Sequence, residues 1–121
     1  MLYVFAGGGI GAAARYWLTG VIHRAVPAGF PYGTLVVNIT GCFVIGFLVT
    51  LLEERFLADP TLRIFLTIGI LGGFTTFSSF SYETVALLRD AEVLRASVNI
   101  IASVGGCLLA TTAGIIIGRY F

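Results

Sequence analysis

Four long hydrophobic runs, separated by short connections, constrain this chain more than any other feature of its sequence. A helix needs about twenty consecutive, mostly apolar residues to cross the hydrocarbon core of a bilayer. Residues 2–26, 33–52, 62–88 and 93–120 meet that demand. The breakers and charges gather between them, at Pro27 and Pro31, across 53–60, and across 89–92. The expectation is an all-α, integral membrane protein with four transmembrane helices in a single domain spanning residues 1–121.

Composition points the same way. Only 11% of the residues are charged and 58% are hydrophobic, with a mean hydropathy of +1.01. Soluble domains carry about a quarter charged residues, so the charges here cannot supply a polar surface and lipid must act as much of the solvent. A formal net charge of +1 gives no sign of a nucleic-acid partner. No basic segment followed by a cleavage site opens the chain, so the first run reads as a span and not as a removable signal. A multi-pass protein of the cell (inner or plasma) membrane is expected. Cys42 and Cys107 both fall inside apolar runs and read as buried thiols, not as a disulfide.

Eleven of the thirteen charged side chains sit in connections or at the ends of runs; the exceptions are Arg15 and Glu83. Charge within a span is costly and faces protein or water, although both residues lie near enough to span ends to snorkel. All seven cations are Arg. A four-span arrangement puts Arg24, Arg89 and Arg95 on one side and Arg55, Arg63 and Arg119 on the other. Bias in Lys and Arg normally sets orientation, and here the two sides balance. Two readings fit: chance balance in so small a protein, or a chain that inserts both ways and pairs as an antiparallel homodimer.

Small residues mark the packing faces. Gly7 and Gly11 form one GxxxG pair and Gly114 and Gly118 another, the spacing that lets helix backbones approach closely in lipid. The Gly7-Gly8-Gly9 run lacks the Lys of a phosphate-binding loop. No internal repeat is evident, which argues against an inverted-repeat transporter within one chain.

The chemistry concentrates in the third run, around Gly72-Gly73-Phe74-Thr75-Thr76-Phe77-Ser78-Ser79-Phe80-Ser81-Tyr82-Glu83. Two readings fit Gly72-Gly73. Either the helix breaks there and its freed carbonyls line a cavity or hold a cation, or an intact helix packs closely through glycine. Six hydroxyl side chains follow within ten positions. Phe77 and Phe80 share a helical face, as core packing or as ring edges turned toward an anion. Thr76, Ser79 and Glu83 make a polar stripe beside them. Asn38 is a lone amide in the second run, and Asn99, Ser103, Cys107 and Thr111 recur every four residues in the fourth. A seam of interhelical hydrogen bonds accounts for them; so does a narrow polar track for an anion that must shed water.

The segments GGGIGAAARY, GTLVVNITGCF and GGFTTFSSFSYE, in that order over nearly the whole chain, resemble the Fluc family of small fluoride channels. The resemblance implies a passive channel for fluoride efflux that relieves fluoride toxicity, built as an antiparallel, dual-topology homodimer with two pores. By the same resemblance, Asn38 donates to the anion, Phe77 and Phe80 line its path with ring edges, and Ser103, Thr34 and Glu83 belong to the pathway. Gly72 and Thr75 match positions whose backbone carbonyls hold a structural sodium ion at the dimer interface, and Arg15 matches a first-span arginine. The partners implied are fluoride, a second copy of the chain and the lipid bilayer.

Two other classes compete. A proton-coupled multidrug exporter of similar size needs a carboxylate within the first span, and this first span has none. An accessory subunit would not need a hydroxyl-rich, glycine-broken third span. An enzyme is not expected, because no base, nucleophile or metal-ligand cluster stands out; His23 reads as a solvent-facing loop residue.

Overall fold

The computed structural model describes residues 1–55 and 59–121; part of the connection expected at 53–60 and the Arg55 side chain lie outside the described residues. Among the described residues every regular element is helical: α1 (Leu2–Ala25), α2 (Tyr32–Thr50), α3 (Pro60–Ile64), α4 (Gly72–Phe74), α5 (Phe77–Arg89) and α6 (Val93–Arg119). A π-helical turn over Leu51–Arg55 extends α2, and a π-helical stretch over Phe65–Leu71 joins α3 to α4. Three helical stretches, Tyr32–Glu54, Pro60–Arg89 and Val93–Arg119, are long and apolar enough to cross a membrane. The 24 residues of α1 are long enough to do so, but Arg15 and a run of glycines dilute its apolarity.

Local chemistry explains where the helices begin and end. Pro27 and Pro31 separate α1 from α2, since proline cannot donate to a helical ladder. The Asp59 carboxylate accepts from the Thr61 N–H at 2.7 Å, capping α3, with Pro60 at its first position. Proline suits that position because its fixed φ is already helical and its missing N–H would have no partner there. Ala91 takes a positive φ of 61° in the turn between α5 and α6. His23, expected in a loop, is exposed in the last turn of α1.

The interior is small and the exterior apolar. Val37, Leu71, Phe80 and Ala96 are the buried hydrophobic residues, and Thr34, Thr50, Thr84, Asn99 and Ser103 are buried with them. Large apolar side chains such as Phe5, Ile101, Leu108 and Leu109 point outward. That inversion is what a lipid solvent permits: apolar surface gains nothing by leaving it, so helices associate through close backbone contact and internal polar groups.

Both GxxxG pairs are buried and both define contacts. Gly7 lies against Phe65 and Gly69, and Gly11 against Ile70 and Phe74, so α1 runs parallel to the stretch from α3 to α4. Gly114 lies against Phe43 and Phe47, Gly118 against Thr50, and Gly46 of α2 against Thr111. Helices α2 and α6 therefore also run parallel, in their most extensive contact. Gly33 meets Thr19 and His23, which makes α1 and α2 antiparallel neighbours.

The charges sort to two ends. Arg63 pairs with Glu53 at 3.2 Å and Arg119 with Glu54 at 3.6 Å. Arg95 lies at the opposite end, bonded to the Gly29 carbonyl at 3.2 Å and near Glu92. These pairs are exposed and add little stability; they mark two polar rims.

A Cβ on Gly11 would run into the Ile70 carbonyl oxygen, and one on Gly114 into that of Phe43, whereas one on Gly9 would meet nothing. Backbone oxygens cannot rotate away. Gly11→Ala and Gly114→Ala should each cost about 1–3 kcal/mol by overpacking, while Gly9→Ala should be neutral or slightly stabilising through helix propensity. Reversible unfolding in mixed micelles measures all three. Equal losses at all three positions would mean that close approach is not what holds these helices together.

Candidate functional site

The segment Gly72-Gly73 is helical, and the helix stops two residues later. Thr75 (φ −85°, ψ 154°) and Thr76 (φ −150°, ψ 115°) have extended backbone before α5 begins at Phe77. The Thr76 hydroxyl caps α5 by accepting from the Ser79 N–H at 3.3 Å, and it lies 3.2 Å from the Ser78 and Ser79 hydroxyls. Hydroxyl residues at an N-cap satisfy donors that have no partner within the helix. The Thr75 hydroxyl turns back to the Leu71 carbonyl at 3.0 Å.

Asn38 of α2 supplies what the extended backbone needs. Its amide Nδ2 donates to the Thr76 carbonyl at 3.0 Å, and its Oδ1 accepts from the Thr76 N–H at 2.8 Å. In a continuous helix that N–H would donate to the Gly72 carbonyl; here Gly72 is released from that donor. Arg15 of α1 reaches the next carbonyl, its Nε donating to Gly73 at 3.2 Å. The first-span arginine is thus bound to the end of α4 and does not snorkel away from the bundle.

A cavity of about 290 Å³ opens beside this junction, lined by Asn38, Thr75, Thr76, Phe77, Phe80 and Ser103, and also by Cys42 and Cys107. The Phe77 and Phe80 rings lie 5.3 Å apart and are tilted by 51°. Phe80 is buried, whereas Phe77 is 77% exposed, so this chain alone covers little of that ring. The lining includes no charged side chain. Ser103 donates to Asn99 at 3.4 Å, Asn99 to Thr84 at 2.9 Å, and Thr84 to the Phe80 carbonyl at 2.7 Å. Asn99 therefore bonds across from α6 to α5, whereas Ser103 bonds back to Asn99 within α6 and also faces the cavity.

Thr34 and Glu83 stand apart from that group. They line a second cavity of about 480 Å³, with Arg15, His23, Thr76 and Ser79. The Thr34 hydroxyl donates to Glu83 Oε1 at 2.7 Å, and Glu83 Oε2 is buried with no hydrogen-bond partner. Thr76 lines both cavities. The stripe of Thr76, Ser79 and Glu83 read from helical spacing thus exists as one wall of the second cavity, although Thr76 itself is not helical.

Sequence reasoning singled out Asn38, Phe77 and Phe80, but it missed three partners. Thr76 as the residue held by Asn38, Thr84 as the link to Asn99, and Arg15 as the ligand of Gly73 all depend on contacts between helices. Thr76 left a local signal, as a hydroxyl residue three positions before Ser79 at a helix start, and Arg15 stood out as a charge within a span; Thr84 left none. Among the described residues, no three His, Cys, Asp or Glu side chains gather in a way that could hold a metal ion. A hard cation at this junction would draw on backbone, hydroxyl or amide oxygens.

A family profile described as "CrcB-like protein, Camphor Resistance (CrcB)" matches residues 2–115. Relatives extend over almost the full chain. A protein of Geotalea uraniireducens (strain Rf4) named fluoride-specific ion channel FluC is 48% identical over 119 residues, which is 98% of this chain and 96% of its own. Proteins of the same name from Geobacter metallireducens and Trichlorobacter lovleyi are 50% and 52% identical, over 93% and 94% of this chain and 91% and 89% of theirs. With three helical stretches able to cross a bilayer, this is a multi-pass membrane protein, and similarity over nearly its whole length makes it a member of the CrcB-like family.

Proposed function

We propose that this chain is the subunit of a fluoride channel, letting fluoride leave the cell passively across the membrane. One observation carries the reading: in a chain about half identical to proteins named fluoride-specific ion channels, Asn38, Phe77, Phe80 and Ser103 meet at one uncharged cavity beside non-helical backbone. The asparagine amide carries two N–H groups; one is bound to Thr76, and the other serves the anion. Ring edges of Phe77 and Phe80 carry the positive end of their quadrupoles. Stripping water from a small anion costs more than any one such contact returns, so several act in series. Partial charges bind the ion and also release it, where a full cation would retain it. Thr34 and Glu83 belong to the adjoining cavity and form the approach to this path. The protein is a channel and not an enzyme.

We propose further that α1 serves as the first of four spans, that Thr75-Thr76 is a break in the third, and that two chains pair antiparallel. Three features support pairing. Phe77 and Gly72 are exposed, and polar backbone at membrane depth must be covered by protein or water. The two rims carry opposing arginines without bias. The carbonyls of Gly72 and Thr75 fit a sodium ion, as hard cations take oxygen ligands, commonly about six. Two carbonyls are too few, and a symmetric copy would add two more. Bound there, sodium would cross-link the two broken spans.

Fluoride efflux from liposomes, with chloride as control, tests the channel. Phe77→Ile and Phe80→Ile should each cut flux per assembled protein by about tenfold or more, since each removes a contact made to the dehydrated ion. Asn38→Asp should do the same and also destabilise the fold by about 1–3 kcal/mol, because a carboxylate cannot donate to the Thr76 carbonyl. Unchanged flux per assembled protein in all three would mean these side chains are packing.

Tags on the C-terminus should report from both sides of the membrane, and one added arginine at either rim should bias the population. Uniform insertion of the unaltered chain would sink the antiparallel pair. Exchanging sodium for a bulky organic cation should lower the melting temperature of the purified protein, and a melting curve indifferent to sodium would remove the cation from the account.

A further inference from the structure

Two side chains of the 290 Å³ cavity have no part in the path described above. Cys42 of α2 and Cys107 of α6 are both free, both half-buried, and both line its wall. Their meeting follows from helix register. Gly46 packs against the Thr111 carbonyl, and Cys42 and Cys107 each lie four residues, one turn, before those contact points on parallel helices. The two side chains thus stand at the same level of the bundle and line one cavity.

We infer that Cys42 and Cys107 form a two-thiolate site for a soft divalent cation of linear coordination, of the mercury(II) class, and that its occupation blocks the cavity. Three physical points select this class. Soft thiolate ligands prefer soft metals to hard ones. Zinc takes four ligands in tetrahedral geometry, and this cavity offers two sulfurs with no charged or imidazole side chain beside them. Two thiolates with a divalent cation make a neutral unit, the least costly to place in an apolar surround. From mercuric chloride, binding breaks two S–H and two Hg–Cl bonds and forms two S–Hg bonds. Two protons and two chlorides leave to solvent and no oxidation state changes. Because protons are released, binding strengthens as pH rises. The cavity is small and Phe80 and Ser103 line it too, so a bridging cation takes up space the anion would use.

The test uses mercuric chloride alone on the purified full-length protein. Intact mass and thiol counting should show one mercury per chain with both cysteines blocked, and zinc at the same concentration should leave both reactive. Cys42→Ser and Cys107→Ser should each raise the mercury needed for half-occupancy by about tenfold or more, as a chelate becomes a single bond. Two mercuries per chain, or one thiol still reactive at one equivalent, would overturn the bridge. The blocking half of the inference rests on the channel reading, so flux in liposomes is measured before and after loading, each protein against its own untreated value. One equivalent should stop fluoride efflux in the wild type and a small dithiol should restore it; full efflux from loaded protein would overturn the block. Absence of efflux before any mercury would count against the channel reading alone, because bridging is read by mass and thiol count and is supported or refuted independently of flux.

Discussion

The arrangement of this bundle depends on one side chain pairing with the backbone of one residue. Asn38 both donates to and accepts from the backbone of Thr76, which lets two residues of extended chain exist within an otherwise helical stretch. Without a partner, each buried backbone group would cost the full desolvation of an amide. The same contact ties α2 to the point where α4 stops and α5 starts, so it fixes where Phe77 and Phe80 stand. Arg15 and the Thr76 hydroxyl act around it, holding the carbonyl of Gly73 and the first turn of α5.

Close backbone approach does the remaining work of assembly. Gly7 and Gly11 set α1 against the π-helical stretch and α4, while Gly46, Gly114 and Gly118 set α2 against α6. With apolar side chains facing outward, these contacts and the internal polar seam replace the hydrophobic core of a soluble domain. The seam from Ser103 through Asn99 and Thr84 also satisfies polar groups next to the cavity. The cavity is left uncharged and lined by weak partial charges. In the channel reading, that is the property that lets an ion bind and leave.

The two cavities divide the polar residues by charge. The smaller has amide, hydroxyl, thiol and aromatic groups; the larger has Arg15, Arg24, His23 and Glu83. Thr76 stands between them, its backbone committed to Asn38 and its hydroxyl to α5. An ion moving from one to the other would pass from full charges, which draw it in from water, to partial charges, which do not trap it. The unpartnered oxygen of Glu83 lies on the charged side of that boundary.

Much of this was legible from the chain alone. Hydropathy and breakers located the helices to within a few residues, because spanning length and proline chemistry are local properties. The GxxxG pairs named two real contact faces, since four-residue spacing puts both glycines on one side of any helix. Asn38, Phe77, Phe80 and Ser103 stood out as polar or paired residues in apolar runs, and they share a cavity. The sequence did not reveal that the interruption falls at Thr75-Thr76 and not at the glycines, nor that Thr34 and Glu83 face a different cavity, nor that Cys42 and Cys107 line one cavity. Glycine permits a break but does not require one. The interruption sits where a side chain from another helix can pay for it, and Asn38 comes level with Thr76 only once the helices have packed. Local spacing determined the elements and their faces; register between helices, set by glycine contacts far apart in the chain, decided which faces became a site.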